Sequence, residues 1–413
     1  MGSLWHGDTA IERLLKLVTN RNLMLMSVAS LLTDIASEMT YPLLPLLVVG
    51  TLGASKSFFG LIEGVAEAVA QLLRVGAGRL SDRLGKRKPL TIGGYLLGVA
   101  GKLVLWLAAV PALALVGRVV DRLGKALRSP ARDALIAESV DSSERARAFG
   151  FHRAMDTAGA FIGVAAAWVI MRQGTQEVRP VFLWAALPAG LAVIVLLFVR
   201  ETGKGRKKPA AGAADTASWG YVWRTVPAEL KRYLLIVFLF NVGNCSNQFL
   251  LLRAQDRGFA PTDVILAYAV YNLAYTILAY PAGAIADAIG HKRVLIAGYA
   301  VHGLAYAGFA AAGFAGPWAI WVLFALYGAH MALTEGVEKA LIVDLAPAEH
   351  RATVLGMFST VVGLALLPAS AMAGVLWDRV GAATPFAVGA VLGIGAAVAL
   401  VWALRGRGRS AHS

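Results

Sequence analysis

The chain has 413 residues, 58% of them hydrophobic and only 15% charged, a balance that argues against a soluble two- or three-domain protein and for one embedded in a membrane. Its net charge of +14 would suit a nucleic-acid partner only if the cations formed one patch, and they are instead dispersed into alternate loops. The single cysteine, Cys245, excludes an internal disulfide and a cysteine-built metal site, and is expected to be an inert buried thiol.

Taken in order, residues 1–22 form an N-terminal segment. Trp5, Ile11, Leu14, Leu15 and Val18 alternate there with Arg13 and Lys16, as in an interfacial helix or a tail with a few apolar residues. The first apolar run begins after Arg21, is long and has no small-residue cleavage site, so it is expected to stay as the first crossing. It covers residues 23–49 and carries Asp34 and Glu38, four apart and therefore on one helix face. The second, 58–77, places Glu63, Glu67, Gln71 and Arg74 on one stripe. Ionised groups are costly in hydrocarbon, so these carboxylates are expected to face a cavity. Four on neighbouring helices resist joint ionisation, so one should hold a proton near neutral pH, which hints at proton coupling.

The third crossing, 90–110, is apolar except for Lys102, which reads equally as a partner of those carboxylates or as a snorkelling side chain. In the fourth, 112–139, Arg118, Asp121, Lys125, Arg128 and Arg132 recur at steps of three and four and make one helical stripe. The fifth, 148–169, opens with Arg153 and Asp156 and reaches Gly159 and Gly163. The sixth, 181–199, is uncharged and reads as a lipid-facing span. Residues 23–199 thus make a first bundle of six helices. Residues 200–232 turn to Lys, Arg, Gly, Ala and Pro and make a linker, solvated or able to touch anionic lipid.

A second bundle follows over residues 233–404, with crossings near 233–252, 264–286, 294–312, 318–343, 352–377 and 382–404, and a tail at 405–413. Asn241, Asn244, Asn247 and Gln248 lie on helical neighbours, as do Tyr268, Tyr271, Asn272 and Tyr275. Such groups line a solute cavity or glue helices together. Glu335, Glu338 and Lys339 supply the charges of the tenth crossing, with Glu335 and Lys339 spaced for an internal ion pair. His152, His302 and His330 are scattered along the chain and add no metal-site pattern.

The chain is duplicated. Gly78-Arg79-Leu80-Ser81-Asp82-Arg83-Leu84-Gly85-Lys86-Arg87-Lys88 is echoed by Gly283-Ala284-Ile285-Ala286-Asp287-Ala288-Ile289-Gly290-His291-Lys292-Arg293, 205 positions on. Ala134-Leu135-Ile136 recurs as Ala340-Leu341-Ile342, Arg145-Ala146 as Arg351-Ala352 and Gly150 as Gly356, all 206 positions on. A repeat this long fits two copies of a six-helix unit rather than a solenoid. The cation-rich loops alternate with loops carrying few, which places the rich ones, the linker and both termini in the cytoplasm.

The doubled stretch, expected as a glycine-bounded basic turn, resembles the loop signature between the second and third helices of the major facilitator superfamily (MFS). The resemblance implies an all-α integral membrane fold of 12 transmembrane helices in two pseudo-symmetric six-helix bundles, moving small solutes by alternating access. It also implies that Gly78, Asp82, Arg83 and Gly85, with Gly283, Asp287 and Gly290, form a conformational latch, weaker in the second copy because Ala288 replaces the cation. Arg118 lies where drug/proton antiporters of the family carry an arginine, although Arg122 stands where they have glycine. Gly159-Ala160-Phe161-Ile162-Gly163 is similar to their fifth-helix glycine-proline motif, with Ala160 replacing the proline.

The expected function is secondary transport, proton-coupled efflux of a small organic drug or metabolite, from a bacterial-type inner membrane and as a monomer. The expected cavity residues are Asp34, Glu38, Glu63, Glu67, Arg118, Asp121, Arg128, Arg153, Asp156, Asn241, Asn244, Asn247, Gln248, Tyr271, Asn272, Glu335 and Glu338. Uptake of an anionic or zwitterionic metabolite, divalent-metal export through Asp34, Glu38, Glu63 and Glu67, and a non-transporting sensor are alternatives. No Walker loop and no nucleophile-base-orienter set occurs in the sequence, so neither a primary pump nor an enzyme is expected, and no cofactor.

Overall fold

A computed structural model describes residues 19–84, 86–141, 144–174, 177–201, 223–313, 316–347 and 350–403. Residues 1–18 of the N-terminal segment, most of the linker, the tail, Gly85 and the side chains of Asp82 and Arg83 lie outside the described residues. The first half comprises α1 (Arg21–Thr40), α2 (Lys56–Leu84), α3 (Arg87–Leu107), α4 (Pro111–Ser139), α5 (Arg145–Gln173) and α6 (Arg179–Leu197). The second comprises α7 (Ala228–Gly243), α8 (Gln248–Asp256), α9 (Pro261–Ile289), α10 (His291–Ala311), α11 (Trp318–Leu345), α12 (Arg351–Arg379) and α13 (Thr384–Ala403).

Among the described residues, ten segments are long and apolar enough to span a bilayer, Ala228–Asp256 counting as one. The charged 29-residue helices α2 and α4 bring the crossings to twelve. On α6 the buried side is Val181, Phe182, Ala185, Ala189 and Ala192, while Trp184, Leu187, Leu191 and Ile194 are exposed. One packed stripe and one apolar outer face are what a peripheral span requires.

Three expectations change. The first crossing is not one regular helix: after Thr40 it tightens into a 3-10 turn at Tyr41–Leu43 and widens into a π-type turn at Leu46–Thr51. Pro42 and Pro45 supply no N–H to a regular ladder there. The seventh crossing, expected to be continuous over 233–252, breaks between Gly243 and Gln248, where Asn244 leaves the helix at φ −94 and ψ 83. The glycine-bounded stretches are mostly helical, since α2 continues to Leu84 and α9 to Ile289. In the second copy the bend falls on Gly290, whose φ of +96 favours glycine.

Within the first half, α1 crosses α5 so closely that a Cβ at Gly159 or Gly163 would strike the Leu31 or Ile35 carbonyl. The side chain of Asn20 caps α1 by accepting from Leu23 N at 3.1 Å and donates to Ser139 O at 2.7 Å. Between the halves, α2 lies along α12, and Gly60 and Gly374 abut the carbonyls of Ser370 and Lys56.

Among the described residues, several hydrogen bonds between the halves lie from the end opposite the basic loops to mid-depth. Asp378 of α12 accepts from Ser57 N at 2.7 Å, Ser57 Oγ at 2.6 Å and Lys56 N at 3.3 Å, capping α2 from the other half. Gln248 Nε2 donates to Tyr41 O at 3.1 Å, and Ser246 Oγ to Glu63 Oε2 at 2.9 Å. Toward the basic end, a cavity of about 310 Å³ lies between α9 and α11, lined by Tyr275, Gly283, Asp287, His291, Ala332 and Gly336 among others.

Candidate functional site in the charged core of the first half

The helical repeat of α4 points its charges at α1, α2 and α3, and each meets a different neighbour. Arg118 forms a two-pronged pair with the fully buried Glu63, Nε to Oε1 at 2.7 Å and Nη2 to Oε2 at 3.0 Å. This fork geometry is the strong form of a charge-assisted bond. Glu67 lies 3.7 Å from Arg118 and 3.5 Å from Arg122. Asp121 takes Lys102 Nζ at 3.1 Å and lies 3.5 Å from Arg122 Nε. Lys102 therefore neither snorkels nor joins the carboxylates of α1 and α2; its amine is held by Asp121 and Ser37. Arg132 donates to Ser30 Oγ at 2.8 Å and pairs with Asp133.

Buried ion pairs offset the desolvation of their charges only when the geometry is close, as at Arg118 and Glu63. The four acids expected to crowd one another are thus sorted. Glu63 and Glu67 face guanidinium groups, whereas Glu38 accepts from Tyr268 OH of α9 at 2.7 Å. Asp34 makes no hydrogen bond or ion pair among the described residues and is half-buried, within electrostatic reach of Lys125, Arg128 and Asp156.

Arg128, Lys125 and Arg153 are among the cations of this half with no carboxylate within ion-pair distance among the described residues. Arg128 is buried over the Tyr95 ring at 5.0 Å, with Nη1 lacking an acceptor. Lys125 is exposed in the middle of α4, and Arg153 is exposed on α5, turned toward Tyr275 and Glu335 of the second half. Asp156 lies 3.7 Å from His152 Nε2.

In the second half the polar set is divided. Asn241 donates back to Val237 O of its own helix at 2.8 Å, and Asn272 to Tyr268 O at 3.1 Å, so one N–H of each amide is turned back onto its own helix. Because the seventh crossing breaks, Asn244 and Asn247 do not continue the face of Asn241. Their side-chain oxygens accept from Tyr306 OH at 3.2 Å and Tyr327 OH at 2.7 Å. Tyr271 is buried between Tyr268 and Tyr327, with ring centroids 5.6 and 5.7 Å away. Glu335 accepts from Tyr275 OH at 2.7 Å with Lys339 at 3.9 Å, while Glu338 turns to Tyr299 OH at 2.7 Å.

Two further placements depart from the sequence reading. His302 and His330 are not scattered: their ring centroids are 4.7 Å apart in a buried cluster with Tyr306 and Phe240. Among the described residues, however, no three His, Cys, Asp or Glu side chains converge as a metal site would need. At the second loop copy, where Ala288 removes the expected cation, His291 stands between Asp344 at 2.7 Å and Asp287 at 3.4 Å.

The chain matches the family model described as Major Facilitator Superfamily over residues 26–252 and again over 234–413. It belongs to that superfamily. An uncharacterized MFS-type transporter of Methanocaldococcus jannaschii is 37% identical over 381 residues, covering 91% of this chain and 93% of that one. The Multidrug resistance protein MdtH of Cronobacter sakazakii is 34% identical over 123 residues, 30% of each chain. The solved nucleoside transporter NupG superposes with a TM-score of 0.78 at 12% identity, covering 93% of this chain and 99% of that one, a likeness of fold. The protein is accordingly a multi-pass MFS transporter that moves a substrate across a bilayer, and not an enzyme.

In this MFS transporter Lys102, Arg122, Lys125 and Ser246, absent from the expected cavity residues, contact or lie within electrostatic reach of the same charged network. Lys125 carried a usable signal, its place on the α4 stripe. Ser246 carried none, because its contact is with a residue 183 positions away.

Proposed function

We propose that this transporter is a proton-coupled exporter of a small organic compound, working by alternating access, with Asp34 and Glu38 as the carboxylates that take and release protons. The observation that carries the reading is the sorting of acids. Glu63, Glu67 and Asp121 are matched by cations, whereas Asp34 has no bonded partner among the described residues and Glu38 has a neutral phenol from the opposite half. A carboxylate without a fixed counter-ion, beside a contact between the moving halves, can change protonation as that contact opens. The partial likeness to multidrug resistance proteins supports export.

In this reading the basic loops and both termini face the cytoplasm of a bacterial-type inner membrane, following the excess of Lys and Arg in those loops. Bundles 23–199 and 233–404 are joined by the linker 200–232, and one copy is the working unit. A second reading, uptake of an anionic or zwitterionic metabolite, draws on the unpaired Lys125.

The test compares small molecules in spent medium and cell extract from cells producing the wild type or Asp34→Asn, with and without a protonophore. The expected result is a compound enriched outside wild-type cells, lost with the protonophore and lost in the variant. Accumulation inside the cells would favour uptake, and the same export from Asp34→Asn cells would refute the assignment of Asp34.

A further inference from the structure

Asp34 on α1 and Lys125 on α4 lie within electrostatic reach of one another, and neither has an ion-pair partner among the described residues. Lys125 stands at mid-length of a 29-residue helix, yet its side chain is exposed, and its electrostatic neighbours include Glu67 and Asp34. It therefore looks into the interior between α1, α2 and α4 rather than at lipid. Asp34 answers it with the opposite charge.

The two do not pair: no contact within the 4.0 Å of an ion pair joins them. Their neighbours behave differently, since Arg118 and Glu63 close to 2.7 Å and Lys102 and Asp121 to 3.1 Å. Opposite charges left apart at bilayer depth leave the cost of burial uncompensated. The positive side is reinforced from behind by Arg128, 5% exposed, whose Nη1 has no acceptor among the described residues.

We infer that the substrate bound between α1 and α4 is a small zwitterion, its ammonium seated on Asp34 and its carboxylate or phosphate on Lys125. A lone cation would be drawn by Asp34, with Asp156 and Glu38 also near, but would leave Lys125 and Arg128 without a counter-charge. A lone anion would satisfy Lys125 but be repelled by Asp34. A molecule carrying both charges bridges the gap and completes two charge-assisted contacts at once.

The inference rests on the exchange role proposed for Asp34 and fixes its sign. A proton bound to Asp34 removes the charge that holds the ammonium, so proton and substrate exclude one another at this carboxylate. Mutual exclusion at one site is what exchange of outgoing substrate for incoming protons requires.

The experiment uses the full chain in detergent at fixed ionic strength and reads thermal stabilisation. The probes are matched triplets built on alanine, leucine and phenylalanine: the free amino acid, its methyl ester as the cation, and its N-acetyl form as the anion. The wild type is expected to prefer at least one free amino acid roughly tenfold over both of its single-charge relatives, about the loss of one charge-assisted contact.

Lys125→Gln should shift the preference to the methyl ester, and Asp34→Asn to the N-acetyl form. If either variant fails to fold, the other decides. The inference is overturned if no free amino acid stabilises the wild type, if a singly charged form is preferred by it, or if the preferred charge form is unchanged in the variants. Zwitterion preference without protonophore-sensitive export would sink the exporter reading and leave the substrate class standing. Proton-driven export of a singly charged compound would do the reverse.

Discussion

Replacing Asp378 by alanine should unfasten the closed end of the transporter. Its carboxylate belongs to α12 but caps α2, accepting from Ser57 N at 2.7 Å, Ser57 Oγ at 2.6 Å and Lys56 N at 3.3 Å. An N-cap side chain contributes about 1 kcal/mol. The hydroxyl contact adds to this, discounted because Asp378 is exposed and its charge is screened.

A total of about 1–2 kcal/mol is lost only when this end is closed, so the ratio of open to closed molecules should rise roughly 5- to 30-fold. The assay is electron-electron distance measurement between spin labels at Ser55→Cys and Val380→Cys in a Cys245→Ala background. Labels on both sides of the cap should show a longer-distance population growing from wild type through Ser57→Ala to Asp378→Ala. Identical distance distributions in wild type and Asp378→Ala would show that the cap does not hold this end shut.

Gly374→Ala should act in the same direction, because the added methyl meets the Lys56 carbonyl where α12 crosses α2. The cost is about 1–3 kcal/mol, and the same label pair reads it. Glu63→Gln and Arg118→Met should each lower thermal stability sharply, by about 3–5 kcal/mol, since each leaves a buried partner uncompensated. The Glu63→Gln, Arg118→Met double variant should melt above the sum of its single changes, and strict additivity would mean that the two-pronged pair is not an energetic unit.

The membrane class, the duplication and the helix pattern were legible in the chain because they depend on local quantities. Apolar run length, the spacing of Arg118, Asp121, Lys125, Arg128 and Arg132, and the repeat at 205 and 206 positions are properties of the string itself. The resemblance carried by Gly78–Lys88 and its echo led to the same superfamily that the family model matches.

Which charge answers which was not legible. A stripe on α4 fixes a face but not the helix opposite it, so Lys102 is paired to Asp121 only by the crossing of α3 on α4. The breaks were half visible: Pro42 and Pro45 signal the end of regular helix in the first crossing. Asn244 signals nothing until Tyr306 and Tyr327 are brought to it from other helices.

The sequence by itself determined a polytopic helical protein made of two related halves, because hydrophobicity and helical period act over one or a few turns. Only the tertiary structure decided that Glu63 and Asp121 are neutralised while Asp34 and Lys125 stay without an ion-pair partner among the described residues. Whether a buried charge is matched depends on a few ångströms of separation between helices distant in the chain, and nothing in the local sequence encodes that distance.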